Sequence, residues 1–124
     1  MASNETLSAE IVDGPNRDTL VNDAGKRGGV FFKIKVGAKS QRIYIRASRA
    51  YSHDNGVWDL WGACVLAPAK IWFPFKKLEY NAFSKKGQIT INTVHVEKHS
   101  CGHLAYKGTS SCMICGTKEG ALVR

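Results

Sequence analysis

The chain has 124 residues, 44% hydrophobic and 23% charged, with a net charge of +8. That is enough for one modestly sized domain and ordinary for a globular composition, while no apolar run approaches the ~20 residues a membrane helix needs. The opening MASNETLSAEIVDGPNRD carries neither a basic start nor an apolar h-region, so no secretory signal is expected, and the protein is placed in a reducing, cytoplasmic compartment where clustered cysteines bind metal more often than they form disulfides.

The charge is uneven along the chain. Residues 1–25 hold five acids against Arg17, a net −4, whereas residues 26–124 hold 17 bases against 5 acids, a net +12. Residues 1–29 lack a sustained apolar period and carry the turn signals DGPN and AGKRGG. They are predicted to be a flexible acidic arm.

The basic β-domain is predicted over residues 30–97. VFFKIKV (30–36) alternates with period two, and after a GAKS turn so does QRIYIRA (41–47). The two should form a hairpin. SRAYSHDNG (48–56) reads as a loop whose Asn55–Gly56 pair favours positive φ. VWDLWGACVL (57–66) reads as a central strand with a bulge at Gly62 and with Cys64 as a buried thiol. IWFPF (71–75) is confined by Pro74 to an edge or a short strand, and KKLEYNAF (76–83) reads as one or two helical turns. In QITINTVHVE (88–97) the apolar parity switches from Ile89 and Ile91 to Val94 and Val96. A bulge near Asn92–Thr93, or a change of pairing partner, would account for it. The sum is an all-β fold, a small barrel or sandwich of about five strands, with an OB-like barrel among the options.

On the predicted hairpin, one face takes Phe32, Ile34, Val36, Ile43, Ile45 and Ala47. The other interleaves cations with rings: Phe31, Lys33, Lys35, Arg42, Tyr44 and Arg46, with Lys39 and Arg49 at the ends. Lysine and arginine neutralise phosphates and rings stack on bases, a combination suited to single-stranded nucleic acid. Trp58, Trp61, Trp72 and Phe73 read as core, Trp61 being the best placed of them for exposure because it shares the parity of Asp59. A protein-binding adaptor or inhibitor, docking an acidic partner such as a nucleic-acid enzyme, is the alternative. Catalysis is not expected, since H-x-E and H-E-x-x-H patterns are missing and His53-Asp54-Asn55 is explained by its turn.

Residues 98–124 form the third segment. Cys112-Met-Ile-Cys115-Gly116 is a C-x-x-C-G spacing, and Cys101-Gly102 precedes it by ten residues. Two thiolates at that spacing can hold one zinc ion while the glycine permits a tight turn. Over residues 98–117 the chain resembles the zinc-ribbon (rubredoxin-like zinc knuckle) family. The resemblance implies a zinc-ribbon-like C-terminal hairpin around a structural Zn2+, with Cys101, Cys112 and Cys115 as ligands. Lys98 stands where the family has a further cysteine. A histidine must then complete a Cys3His set, His99 in preference to His103.

Overall fold

The computed structural model describes residues 5–37, 39–67, 71–99 and 102–108. Eight strands and one helix follow in chain order: β1 (Thr6–Asp13), α1 (Arg17–Asp23), β2 (Val30–Lys35), β3 (Ser40–Ser52), β4 (Val57–Leu66), β5 (Phe73–Asn81), β6 (Lys86–Asn92), β7 (Val96–Lys98) and β8 (Leu104–Tyr106). Strands β1 to β6 close into a barrel in sequential order, every pair antiparallel, and β7 and β8 form a separate two-stranded sheet. The all-β expectation holds, and a barrel is the form it takes. The OB-like option does not hold: an OB barrel is a five-stranded Greek key, whereas here each strand pairs with its sequence neighbours and β6 returns to β1.

The largest departure from expectation is the acidic segment, which supplies a barrel stave and the only helix among the described residues. In β1 the residues Leu7, Ala9 and Ile11 turn inward, Ala9 and Ile11 fully buried, while Ser8 and Glu10 face solvent. The strand is in register with β6 from Thr6 opposite Asn92 to Ile11 opposite Gly87, and with β2 through Glu10 opposite Lys35 and Asp13 opposite Lys33. Unlike charges across a strand pair favour the pairing, so the acids fit this position for the same reason that the neighbouring strand is basic. Helix α1 is capped by the Asn16 side chain, which accepts the Thr19 N–H at 2.9 Å, and it buries Leu20. Its lead-in is fixed by Tyr80, whose hydroxyl donates to the Pro15 carbonyl at 2.7 Å. Gly14 is required there, because a Cβ would lie 2.7 Å from the Tyr80 oxygen and 2.9 Å from Phe32.

The predicted hairpin is β2–β3, with Phe32 opposite Ile43 and Lys33 opposite Arg42. Strand β3 continues through residues expected to be loop, as far as Ser52, before Asn55 and Gly56 turn the chain at positive φ. β4 coincides with the predicted strand, and its register slips between Leu60 and Gly62. A side chain at Gly62 would collide with the Arg46 carbonyl. The expected helical turns at 76–83 are instead most of β5, in which Phe75, Leu78 and Tyr80 point inward. Pro74 sits where β5 pairs with β4 but has not yet met β6, so its missing N–H leaves no gap between β5 and β6. The parity switch at 92–94 is a change of partner, with β6 ending at Asn92 and β7 pairing with β8.

The core is continuous. Ile11, Phe32, Ile45, Leu60, Leu78 and Ile91 belong to the same buried cluster as Leu20, Val96 and Leu104. Residues on both sides of positions 29 and 97 thus contribute to it. The β7–β8 sheet is clasped to the barrel by two side chains. Gln41 Nε2 donates to the Leu104 carbonyl at 3.1 Å while its Oε1 accepts the Leu104 N–H at 2.6 Å. The Tyr106 hydroxyl donates to the Ile71 carbonyl at 2.6 Å and accepts from the Leu66 N–H at 3.2 Å.

Two outcomes are expected. Ile11→Ala should lower unfolding free energy by about 2–5 kcal/mol, measured by urea titration; an acidic arm outside the fold would show no change. Burial holds the Cys64 thiol and the Tyr80 and Tyr106 hydroxyls above their ordinary titration ranges, helped at Tyr80 by the Asp13 charge. The unfolded chain releases these protons from about pH 8.5 to 10 and the folded chain does not. Stability should therefore be flat through neutrality and decline as pH rises across that window, read as a falling urea midpoint.

Candidate nucleic-acid interface and metal-binding turn

Pleating places alternate residues of β2 and β3 on the outside of the barrel. Phe31 and Tyr44 face each other across the pair, ring centroids 6.0 Å apart in an edge arrangement. Lys33 stands opposite Arg42, and Lys35 opposite Ser40 at the exposed end of the hairpin. Lys39 lies just before β3, its stem beside the Gly102 backbone. The structure thus brings the hairpin residues onto one outer face. It also sets a limit that composition does not show, since Glu10 and Asp13 of β1 border that face on the β2 side.

On the other side the face widens. Arg46 pairs in register with Ala63 and carries its guanidinium 4.7 Å from the centroid of the Trp72 ring, with Nη1 donating to the Arg27 carbonyl at 3.4 Å. Past an extra residue at Ser48, Arg49 comes into register with Trp61 and its guanidinium lies 4.3 Å from that ring's centroid. Lys77 of β5 approaches the same indole at 5.9 Å. Cations over indole faces are favourable by about 0.5–1 kcal/mol at exposed sites, so these contacts restrain the long side chains.

Trp61 and Trp72, expected in the core, are half-buried supports for arginines. Phe73 is buried as expected, and Trp58 is half-buried. The parity shared by Asp59 and Trp61 is the sequence signal for an outward indole. Nothing comparable marks Lys77, which reaches Trp61 through the register slip in β4–β5. Beyond Trp61 the outer surface changes character. Asp59, nearly buried, binds His53 Nε2 at 2.8 Å and lies 3.7 Å from Lys77 Nζ, which also contacts Glu79 at 3.5 Å. His53 is thus more than a turn residue: it closes an ion-pair group on the far border of the basic face.

Cys101, Cys112 and Cys115 lie outside the described residues, so the expected thiolate ligands have no structural description. The two histidines do. His99 and His103 are both buried and joined through the main chain, the His99 N–H donating to the His103 carbonyl at 2.9 Å and the Gly102 N–H to the His99 carbonyl at 2.9 Å. Gly102 takes φ +96, the conformation for which glycine is expected after Cys101. His99 Nε2 is 3.2 Å from Glu97 Oε2, while its Nδ1 is buried with no hydrogen-bond partner among the described residues. A carboxylate on one imidazole nitrogen and a bare second nitrogen is the pattern of a metal-ligating histidine. His99 therefore fits the fourth-ligand role. Among the described residues no three potential ligands gather.

No protein-family model, curated protein or solved structure matches the chain. Among the described residues no helix is long and apolar enough to cross a membrane.

Proposed function

We propose that the protein binds single-stranded nucleic acid on the outer face of β2–β3 and the adjoining part of β4–β5. The observation that carries this reading is the interleaving on one face of Phe31 and Tyr44 with Lys33, Arg42 and Arg46, extended by Arg49 over Trp61. Each element answers a feature of a single strand. The cations neutralise phosphates, and release of the strand's counterions drives association. Ring faces stack on bases for about 1–3 kcal/mol per base without demanding a sequence. The indoles hold Arg46 and Arg49 extended over the surface, which reduces the side-chain entropy lost on binding. Acids on both borders of the face, Glu10 and Asp13 on one and Asp59 and Glu79 on the other, confine the strand between them. The chain's net charge of +8 supports attraction at long range.

We further propose a structural zinc ion held by Cys101, Cys112, Cys115 and His99. The bare, buried Nδ1 of His99 and the carboxylate behind its Nε2 support that choice over His103. Such an ion stabilises the end of a small domain and has no open position for chemistry. The Gln41 and Tyr106 clasps would pass that stabilisation to β3 and β4, the strands that carry the proposed interface.

Salt titration of binding to labelled thymidine oligomers tests the first reading. The affinity should fall steeply with salt. Replacing Lys33, Lys35, Arg42 and Arg46 together by alanine should flatten the log–log slope by roughly 2–3, at about 0.7 for each phosphate that is no longer neutralised. Absence of binding at low salt, or binding indifferent to salt, sinks it; a complex that survives nuclease and high salt would instead favour the adaptor reading. For the metal, protein purified without chelator should carry one zinc ion per chain. His99→Ala should lose it, His103→Ala should keep it, and Glu97→Gln should weaken zinc affinity by about 10–100-fold, all read by elemental analysis and chelator competition. A metal-free wild type rejects the site, and loss of zinc only in His103→Ala reassigns the ligand.

A further inference from the structure

The arginines at 46 and 49 flank a break in the barrel wall. β3 carries an extra residue between Ala47 and Arg49, and β4 slips against β5 between Leu60 and Gly62. The two irregularities lie side by side, since Ala47 is opposite Gly62. Next to them α1 ends, the carbonyl of its cap residue Ala24 accepting the Ala47 N–H at 2.7 Å. Between the helix and the two strands lies a cavity of about 200 Å3, with Leu20, Ala24, Trp58 and Leu60 in its lining and Arg49 beside them. A second cavity, of about 420 Å3, shares Gly25, Ala47 and Ser48 with the first and runs out to Arg46 and Gly62. Among the described residues no carboxylate lines either cavity, and Arg46 and Arg49 are the only charged groups that do.

We propose that this paired-bulge cleft receives one unpaired base of the bound strand, with its flanking phosphates on Arg46 and Arg49. The inference rests on the single-strand reading above and adds to it a subsite off the plane of the basic face. Size and chemistry agree. A benzene-sized ring fits a cavity of about 150 Å3, and the inner wall is apolar and aromatic while the mouth is cationic, the division that a nucleotide itself carries between base and phosphate. A peptide is the poorer occupant because polar groups at the lip are already engaged: the Ala47 N–H by Ala24 and the Ser48 hydroxyl, which donates to the Trp61 carbonyl at 3.2 Å. The arginines need no rearrangement, since Trp72 and Trp61 already hold them at the mouth.

The test compares a thymidine oligomer of about 12 nucleotides with an abasic oligomer of the same length and charge. It uses wild type and the cleft-filling variants Ala50→Trp and Val21→Trp, both at exposed positions on the cleft lining, with folding checked by thermal unfolding. Wild type should prefer the thymidine oligomer. Each variant should lose about tenfold in affinity for it, one stacked base's worth, and nothing for the abasic strand. Full thymidine affinity in both folded variants overturns the cleft and leaves the basic-face reading standing. The same holds if the variants lose affinity equally for both strands. Failure of wild type to bind either oligomer at low salt overturns the cleft and the single-strand reading together.

Discussion

The rest of the structure depends on one strand pairing on both its sides. β1 bonds to β6 along one edge and to β2 along the other, and without it β2 and β6 would each present an open edge. Its inward Ala9 and Ile11 complete the core, and its outward Glu10 stands across from Lys35. Closure also fixes α1, because the helix follows β1 directly and is tied down by Tyr80 and Ala47. The proposed cleft, which uses α1 as one wall, therefore exists only because the acidic segment is a stave of the barrel.

Charge is arranged by strand rather than by domain. The basic hairpin has an acidic neighbour on one side and an ion-pair group centred on Asp59 on the other. The resulting surface is a basic band with acidic borders, and on the proposed reading a nucleic-acid strand would follow the band and gain nothing by straying from it. Within the band the rings divide into two uses. Phe31 and Tyr44 pack edge to face with each other, while Trp61 and Trp72 carry cations on their faces.

Much of the fold is legible in the residues, and the failures have physical causes. The alternation in 30–36 and 41–47, the Asn55–Gly56 turn and the bulge at Gly62 can be read directly because each depends on local chemistry: period-two patterning, tolerance of positive φ, absence of a Cβ. The parity switch after Ile91 is informative for the same reason. β1 escapes such a reading because Leu7, Ala9 and Ile11 make a short, weak stripe among acids whose favourable partners lie far away in sequence. Residues 76–83 look helical because lysines and a glutamate flank Leu78 and Tyr80, yet a strand on both sides overrides that local preference. Trp61 is marked by the parity it shares with Asp59, whereas Trp72 is hidden by composition, since tryptophan is usually taken for core, and only the register of β3 against β4 puts Arg49 beside Trp61. At residues 98–103 the sequence leaves two histidines open, and only the folded chain sets Glu97 against His99.

Pairing β1 with β6 has a kinetic consequence. Each neighbouring pair from β2 to β6 joins through a short connection and can zip locally, but the ring shuts only when residues 6–11 meet residues 87–92, about eighty positions away; the Thr93 N–H bonds to the Glu5 carbonyl at 3.0 Å. Contacts of such long sequence separation make β-rich chains slow to fold. During synthesis β1 emerges first and must wait for β6, the last stave. The meander between them passes through an open state with two bare edges, and the acids of β1 and the lysines of β2 are the charges that discourage such edges from pairing with other chains in that interval.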